Sequence, residues 1–462
     1  MKKIAFFLFA PLMLCAMSST YAGAQREMYP RKMGVEKVKP LTWDPWPKWV
    51  TFDMEIRGRT EEQTALNYVS GKDRLYELTR VRGGLTARPV SWLTAYMQFQ
   101  DAHALGLPLR DVAANQRDAF DLRQGYLDLH TKNVHFFAGR QELKFGDERV
   151  VGISDWTNTS RTWDGFDLRL GQKNTVDIFS TSVVLVHPTS LDTHGAGLTF
   201  HGVEGNIATL IPHTVVQPFV LIRAEPRVLS QQGIYGTETE VTPGLHWDSK
   251  LPVGFDTSGM ADLQRGSYSN DSIHAGSAII RFGWVASHHS GRPHIEYEYD
   301  YATGNAHTNA SRISTYDQQY PSNHNAFGLV DLFGFQNIKQ NRLNFTLAPR
   351  PNMLFALQAE SLHLATTGDG IYASGGTKTF GAPSSGFLQD GIGTGLDLSF
   401  KHVWSESFVT NTGIGHFFPG YVMTSSKHGA PETIAFLQLT YRFKLDKASD
   451  GRLEVEKDKH SK

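Results

Sequence analysis

Residues 52–59 read Phe-Asp-Met-Glu-Ile-Arg-Gly-Arg, and their side chains alternate between apolar or small and charged. Successive side chains of a β-strand point to opposite faces, so this stretch predicts a strand with one apolar face and one face of four charges. A dry protein core cannot hold that charged face without a large desolvation penalty. We therefore expect water on one side of this strand.

The same alternation recurs in five further segments of the chain. They cover residues 93–100, 293–300, 342–347, 396–401 and 435–443. One such segment alone is typical of a half-exposed strand in a soluble sheet. Six of them along one chain, with charged side chains on polar faces, instead favour an all-β fold. That fold is a transmembrane antiparallel β-barrel with lipid outside and water inside.

The length of the alternating region sets the size of this barrel. The interval from Phe52 to Phe443 holds about 390 residues. At about 10 residues per strand plus turns and loops, it accommodates roughly 16 to 18 strands. Barrels of that size enclose an aqueous lumen, whereas about eight strands would be filled by side chains. Glycine-dense stretches at 367–370 and 373–376 are typical of loops between strands.

The N-terminal residues have the features of a secretory signal peptide. Two lysines follow the initiator methionine, an apolar run extends from Ile4 to Met17, and residues 22–24 read Ala-Gly-Ala. The apolar run is too short for a comfortable membrane span, so residues 1–24 are expected to be removed. A lipoprotein signal at Cys15 is the alternative, but it would need a small residue where the chain has a leucine.

Three further parts are expected after the signal peptide. Residues 25–50 are rich in Pro and Trp and predict an extended periplasmic lead-in, with a plain linker as the alternative. Residues 51–443 form the predicted barrel. Residues 444–462 mix basic and acidic side chains and predict a charged periplasmic tail. No apolar run of about 18 residues follows the signal, so no transmembrane helix is expected.

Composition and motifs exclude several classes of function. Lys and Arg number 45 against 46 Asp and Glu, a balance that argues against nucleic-acid binding. The single cysteine excludes a disulfide scaffold and a multi-cysteine metal site. The sequence has no H-E-x-x-H, G-x-S-x-G or Walker motif. The histidines at positions 288, 289 and 294 are expected to be solvated and not to bind a metal. Together with the missing motifs, this leads us to expect no cofactor, no metal and no catalytic residue.

Several stretches of the barrel region resemble one protein family. The strongest stretches are GRQELKFGDER at 139–149, DWTN at 155–158 and RTWDGF at 161–166. Three more are EYEYDYATGN at 296–305, YDQQYPSNH at 316–324 and GIGHFFPG at 413–420. Together they resemble the alginate-export family of outer-membrane porins. The resemblance implies an 18-stranded barrel with a charge-lined pore that passes the anionic polyuronate alginate out of the cell.

Passage of a polyuronate calls for guanidinium groups, because arginine binds carboxylates bidentately and stays charged. The candidate pore-lining arginines are Arg80, Arg82, Arg140, Arg149, Arg161 and Arg169. The acidic candidates, which would orient the arginines and keep binding weak, are Asp147, Glu148, Asp164, Glu296, Glu298 and Asp300. The alternative is that these charges pair across the wall and only fix its shape. The acidic side chains of Glu296, Glu298 and Asp300 could instead bind a cation such as calcium. We favour the alternative that they pair with arginines.

The leading hypothesis is an outer-membrane diffusion channel for an anionic oligo- or polysaccharide. The alternatives are a general small-solute porin of the same fold and a barrel enzyme with a lumen-facing Ser, His and acid. The expected partners are the anionic polysaccharide or a small anionic solute, and outer-membrane lipid. Periplasmic export partners are left open, and nucleic acid is excluded.

Overall fold

The computed structural model describes residues 47–286, 288–306, 311–324, 326–426 and 428–445. The predicted signal peptide, most of the predicted lead-in and the predicted tail beyond Leu445 lie outside these residues. Within the described part of the chain, no helix is long and apolar enough to cross a membrane.

Eighteen long β-strands within the described residues make up a barrel wall. In chain order they are β1 (Val50–Thr64), β2 (Arg74–Val90), β3 (Leu93–Leu105), β4 (Asp118–His130), β5 (Val134–Gln141), β6 (Trp163–Gly171), β7 (Thr175–Leu185), β8 (Thr199–Ile211), β9 (Thr214–Leu229), β10 (Tyr235–Lys250), β11 (Phe255–Tyr268), β12 (Asp271–Val285), β13 (His294–Ala302), β14 (Ile338–Leu347), β15 (Met353–Leu364), β16 (Gly391–Val403), β17 (Phe408–Pro419) and β18 (Glu432–Leu445).

The wall is a closed antiparallel barrel. Each strand pairs with the next strand of the wall, and β18 returns to pair with β1. In that last pairing Phe52 opposes Leu445 at one end and Thr64 opposes Thr433 at the other. Closure leaves no unpaired strand edge, as a sheet in lipid requires. The predicted antiparallel barrel of about 18 strands is confirmed.

Short elements lie between the strands of the wall. The helix α1 spans Tyr421–Ser425, and single 3-10 turns span Leu66–Tyr68, Leu109–Asp111, Ala114–Gln116 and Pro252–Gly254. Further short strands span Thr193–His194, Arg312–Ile313, Ile371–Tyr372 and Lys378–Phe380.

The predicted alternation of faces is confirmed on the wall. On β1 the side chain of Ile56 is 43% exposed on the outer face, whereas Arg57 is 3% exposed on the inner face. On β13 Ile295 and Tyr297 are likewise exposed, and Glu298 is buried. All six alternating segments lie on wall strands with their apolar rows outward. A belt of exposed apolar side chains therefore surrounds the barrel, as contact with lipid requires.

The two ends of the barrel differ in the length of their connections. At one end the turns are short, for example residues 91–92 and 131–133. At the other end three long loops span residues 142–162, 303–337 and 365–390, and the last contains the predicted glycine-rich stretches. Outer-membrane barrels have short periplasmic turns and longer extracellular loops, so the first end is the periplasmic one.

Two long loops, 142–162 and 303–337, fold back into the barrel, and we call them the inward loops. Val151 of the first pairs with Tyr320 of the second in a parallel bridge, and the Gly152 N–H donates to the Tyr320 carbonyl at 2.8 Å. Buried side chains packed in the same interior cluster include Trp163, Phe200, Phe327 and Phe335. Burying a side chain of this size contributes about 1.5–3 kcal/mol, so packing holds the inward loops in place.

Two glycines near the root of the first inward loop let β5 lie close to β4 and β6 lie close to β7. Gly139 and Gly165 oppose each other in the pairing of β5 with β6, at φ of 128° and 153°. A Cβ at Gly139 would lie 2.2 Å from the carbonyl oxygen of Gly125. A Cβ at Gly165 would lie 2.3 Å from the carbonyl oxygen of Ser180. Both positions therefore require glycine.

Candidate functional site

The tip of the first inward loop packs against a row of arginines on the inner face of the wall. We call this row the arginine wall: Arg57 and Arg59 on β1, Arg80 and Arg82 on β2, and Arg123 on β4. Each of the five residues is 6% exposed or less. Buried guanidinium groups are tolerated only when they are paired or hydrogen-bonded, so their partners define the site.

The β1 arginines bind the backbone of the loop tip. Arg57 donates to the carbonyl oxygens of Asp155 at 2.7 Å and Thr157 at 2.8 Å. Arg59 donates to the carbonyl oxygen of Trp156 at 2.6 Å. A guanidinium offers five donors in a fixed planar fork, which suits successive backbone acceptors. Three consecutive carbonyl groups of the loop are thus held by side chains of the wall.

The carboxylate of Asp155 anchors the same loop tip to β2. Arg80 Nη1 lies 3.0 Å and Arg82 Nη1 lies 2.9 Å from Asp155 Oδ1. Burial alone would raise the pKa of Asp155, but Arg80, Arg82 and Arg57 hold it well below its usual value. The Asp155 side chain therefore stays ionised near neutral pH, and it remains 31% exposed.

Three further carboxylates neutralise part of the arginine wall. The pairs are Glu55 with Arg80 at 2.5 Å and with Arg442 at 2.8 Å, Glu61 with Arg59 at 2.5 Å, and Glu142 with Arg123 at 2.5 Å. Adding Asp155 gives four carboxylates, and adding Arg442 gives six guanidinium groups. Among these side chains the guanidinium groups outnumber the carboxylates by two.

Asn158 fixes the far side of the loop tip to the rim of the wall. Its side chain is fully buried, and its amide nitrogen donates to the carbonyl oxygens of Thr79 at 3.0 Å and of His103 and Gln116 at 3.1 Å. Its amide oxygen accepts from Arg57 at 3.1 Å. Asn158 was absent from the sequence candidates, although it ends the DWTN stretch that resembles the family.

Trp156 connects the two inward loops to the wall. The guanidinium carbon of Arg59 lies 3.6 Å from its ring centroid. The ring of His324, in the second inward loop, stacks on it at 3.5 Å with 2° between the planes. Phe436 of β18 meets it edge-on at 4.9 Å. Cation–π and aromatic contacts of this kind each contribute about 0.5–2 kcal/mol, so Trp156 couples loop positions to one another.

A second charge cluster joins β12, β13 and β14 to Asp147 and Arg149 of the first inward loop. Glu298 accepts from Arg149 at 2.6 Å, Arg281 at 3.0 Å and Arg342 at 2.7 Å, while Asp300 accepts from Arg149 at 3.0 Å and Asp147 from Arg281 at 2.7 Å. Three arginines thus face three carboxylates, and the cluster is formally neutral. The pairing with arginine favoured for the acidic side chains of residues 296–300 is observed for Glu298 and Asp300. The remaining member, Glu296, accepts from Asn344 at 3.2 Å.

Two other candidates hold the inward loops together. Arg161 Nη1 donates to the carbonyl oxygens of Gly152 at 2.7 Å and Tyr320 at 2.6 Å, and burial lowers the pKa of Arg161 to about 10. Glu148 accepts from the Ser322 hydroxyl at 2.6 Å, and burial raises the pKa of Glu148. Both side chains therefore have loop partners.

Three candidates lie away from the inward loops. Arg140 pairs with Asp164 at 2.7 Å across β5 and β6, and Asp164 shares its strand face with the exposed Phe166. The pair therefore belongs to the outer face of the wall. Arg169 pairs with Asp177 of β7 at 2.6 Å and is half-exposed in the periplasmic half of the barrel.

Six arginines of the two clusters were missing from the sequence candidates. They are Arg57, Arg59, Arg123, Arg281, Arg342 and Arg442. The available signal was their position on the polar face of a strand, since four of them lie in the alternating segments. What the sequence did not show is which polar-face residues the inward loops reach.

Comparisons with known proteins agree with the fold. A family model described as alginate export matches residues 48–433. Among curated proteins, none matches the chain. The chain is similar to the solved structures of Acinetobacter baumannii OccAB4 (11% identity, TM-score 0.58, 86% of this chain and 98% of that one) and of the outer membrane protein OpdK from Pseudomonas aeruginosa (8%, 0.57, 86% and 98%).

Another similar structure is Pseudomonas aeruginosa OccK2 (OpdF) in complex with glucuronate (8% identity, TM-score 0.56, 86% of this chain and 96% of that one). At these identities the likeness shows the fold alone. The family model covers most of the chain, and the closed barrel with its lipid-facing belt agrees with it. The chain belongs to the alginate-export family and is an outer-membrane channel.

Proposed function

We propose that this channel passes anionic saccharides, with alginate-like polyuronates as the solute class. The observation that carries the proposal is the arginine wall beside the tip of the first inward loop. With Arg442, its guanidinium groups exceed their carboxylate partners by two charges. A polyuronate has one carboxylate per sugar, so a fixed positive excess at a narrowed part of the lumen attracts it.

The burial of the arginine wall supports a field that acts at a distance. Charges beneath packed loops act through a medium of lower dielectric constant than water, so their field extends farther than that of fully solvated groups. The guanidinium groups therefore need no direct contact with the solute to attract it. Direct contacts with the solute are expected from groups that stay exposed in the lumen.

The carboxylates that pair with the arginine wall favour transient binding of the solute over tight binding. Asp155 stays ionised and is 31% exposed beside Arg80 and Arg82. A solute carboxylate that approaches this pair is attracted by the arginines and repelled by Asp155. Conduction requires binding strong enough for entry and weak enough for release, and this mixture of charges meets both conditions.

A similar barrel gives independent support for the solute class. OccK2 (OpdF), whose fold the chain shares over 86% of its length, was solved in complex with glucuronate. Glucuronate is a sugar carboxylate, as are the units of a polyuronate. Similarity of fold alone does not establish function, so the glucuronate complex supports the proposal only in combination with the arginine wall.

A general small-solute porin of the same fold is the second candidate. It is favoured by the observation that each guanidinium group of the arginine wall already contacts a carboxylate, an amide or hydroxyl group, or a backbone carbonyl. Engaged arginines offer few donors to a solute. On this alternative, the cluster would shape the pore and select weakly by charge.

Block of single-channel current separates the two candidates. The purified protein is reconstituted in planar bilayers, and conductance is recorded with oligouronates or neutral oligosaccharides of equal length. Preferential block by the uronates is expected because they carry the matching charge. Equal block by both sugars would favour the general porin, and absence of any conductance would overturn both candidates.

A matched pair of variants locates the effect. Arg82→Ala removes an arginine that faces Asp155 in the lumen, whereas Arg140→Ala removes one that faces Asp164 on the outer face. Arg82→Ala is expected to weaken uronate block by roughly threefold to tenfold through loss of local positive potential. Arg140→Ala is expected to leave it unchanged. Equal effects in two variants that fold normally would remove the arginine wall from the proposal.

A further inference from the structure

We propose that the β4–β5 hairpin binds a divalent transition-metal ion, of the zinc or copper class, through Asp128, His130 and His135. The three side chains lie on the inner face of the wall near its periplasmic end, far from the inward loops along both strands. Metal binding does not depend on the proposed function, because it concerns only the chemistry of these three groups.

The hairpin sets the two histidines side by side. β4 ends at His130, and the Thr131 N–H donates to the Val134 carbonyl at 2.8 Å across a short turn. His130 and His135 are direct partners in the β4–β5 pairing. Their rings stack with 5.2 Å between centroids and 10° between planes. Side chains at opposed positions of an antiparallel strand pair lie close enough to bind one metal ion together.

Asp128 completes the set from two residues earlier on β4. Its carboxylate oxygens lie 3.2 Å from His135 Nδ1, and Oδ2 lies 3.3 Å from His130 Nδ1. A tetrahedral zinc site with bonds near 2.1 Å places its ligand atoms about 3.4 Å apart. The two carboxylate-to-imidazole distances therefore already match edges of such a tetrahedron. One ligand atom from each of the three residues lies within 4.8 Å of the other two.

The site is open to the lumen. The neighbouring Leu127 and Leu129 are exposed on the lipid-facing side, so Asp128 and His130 point inward. The side chains of His130 and His135 are 24% and 34% exposed, which lets an ion enter from water. Two imidazoles and one carboxylate are a ligand set of catalytic zinc and of other transition-metal sites.

The nearest cationic side chain on the next strand has its own partner. Arg169 of β6 opposes His135 in the sheet, and its Nε donates to Asp177 at 2.6 Å. Asp167, which opposes Phe137, adds a buried carboxyl group to the same wall. The surroundings of the hairpin therefore contain acidic groups that favour a bound cation.

A bound ion would keep a coordination position open toward the lumen. In structural zinc sites four protein ligands close the shell, whereas three protein ligands leave room for water or a solute oxygen. A uronate carboxylate is such an oxygen donor, so the ion would add a binding step at the periplasmic end. This last step rests on the proposed passage of anionic saccharides.

Metal binding is tested on the full-length barrel in detergent after chelator treatment. Copper(II) is added, and the electron paramagnetic resonance spectrum is expected to show hyperfine splitting from two imidazole nitrogens. Zinc affinity is measured by competition with a chromogenic chelator. Zinc affinity is expected to fall about tenfold or more in His130→Ala and in His135→Ala. Asp128→Asn is expected to weaken zinc binding while the two-nitrogen splitting persists.

His201→Ala is the matched control, because His201 is a half-buried strand histidine that contacts Ser180 at 2.9 Å on another part of the wall. It is expected to leave zinc affinity unchanged. Unchanged affinity in the double variant His130→Ala/His135→Ala would overturn the site and assign the metal elsewhere, for example to Asp256, His294 and Glu296. Unchanged affinity in Asp128→Asn would overturn the three-ligand set.

The solute step has its own readout. Zinc is expected to strengthen uronate block of the wild-type channel and to leave block of the double variant unchanged. Intact zinc binding without any effect on block would overturn the solute step alone. A channel that uronates never block would overturn the proposed function, while the zinc titration would still decide the metal site.

Discussion

Trp156 contacts the arginine wall through Arg59 and the second inward loop through His324. Trp156→Ala is expected to lower the free energy that holds the loop tip in place by about 1.5–6 kcal/mol, the sum of three aromatic and cation–π contacts at about 0.5–2 kcal/mol each. Backbone hydrogen bonds from Arg57 to the loop remain. We therefore expect a folded channel whose single-channel current is noisier and larger.

The control for this variant is Trp404→Ala, because Trp404 is an exposed tryptophan at the periplasmic end. Single-channel recordings of both variants in the same lipid separate a loop effect from a general effect on the barrel. Noise and amplitude that match the wild type in Trp156→Ala would show that the loop tip is held without this ring.

Asp155 allows a test by pH because Arg80 and Arg82 depress its pKa, although burial alone would raise it. A carboxylate whose pKa is lower in the folded than in the unfolded protein stabilises the fold at every pH above its unfolded-state pKa, which is near 3.9. That contribution is lost only as pH falls toward the folded pKa. The charge of Asp155 is therefore expected to persist throughout the range from pH 8 to about pH 5.

The measurement is the reversal potential under a salt gradient for wild type and Asp155→Asn. The variant lacks one negative charge at the loop tip, so it is expected to be more anion-selective. The difference between the two proteins should stay constant from pH 8 to about pH 5 and shrink only below about pH 4. A difference that halves near pH 6 would contradict the ion pairs. Asp111→Asn, at an exposed position in a loop, is the control.

At the scale of elements, the close pairing of β6 with β7 requires glycine at position 165. Gly165→Ala would place a Cβ 2.3 Å from the carbonyl oxygen of Ser180, at a φ that alanine rarely adopts. The strain is expected to destabilise the barrel by about 1–3 kcal/mol. Urea titration in detergent measures the change. Gly375→Ala, where no atom lies within 4 Å of the added Cβ, should unfold like the wild type.

The strands were predictable because lipid and water impose opposite demands on alternate residues. Where pairing is irregular the same argument fails. Bulges interrupt the pairing of β3 with β4 beside Gln98 and Gln100, so Arg123 and Gln124 are adjacent residues that both bond with Gln98 of the inner face. The residues of β5 lack a clear alternation, which is why the sequence could not assign Arg140 to a face.

The contacts of the inward loops could not be predicted for a different physical reason. Asp155 and Arg80 are 75 residues apart, and no periodic pattern relates a loop to a strand face. Their meeting depends on closure of the barrel and on the departure angle of the loop. The stretches that resemble the family indicated that the first inward loop is characteristic of the family, but they did not indicate which residues of the wall it contacts.

At the scale of the whole molecule, the near equality of basic and acidic residues hides an uneven distribution of charge. The guanidinium groups of the arginine wall and Arg442 outnumber their carboxylate partners by two, whereas the second charge cluster is neutral. Net charge sums loops, lumen and outer rim, so it does not report the sign of the potential at the narrowed part of the lumen.

Salt dependence tests whether that local excess attracts the solute. The Debye length falls from about 10 Å at 0.1 M to about 3 Å at 1 M, so attraction at a distance is screened while direct contacts persist. The constant for block by an oligouronate is expected to weaken about tenfold over this range, and block by a neutral oligosaccharide should change less than about twofold. Arg82→Ala should show a shallower slope, because less fixed charge remains to be screened. Equal slopes for the charged and neutral sugars would mean that shape, and not the field of the arginine wall, selects the solute.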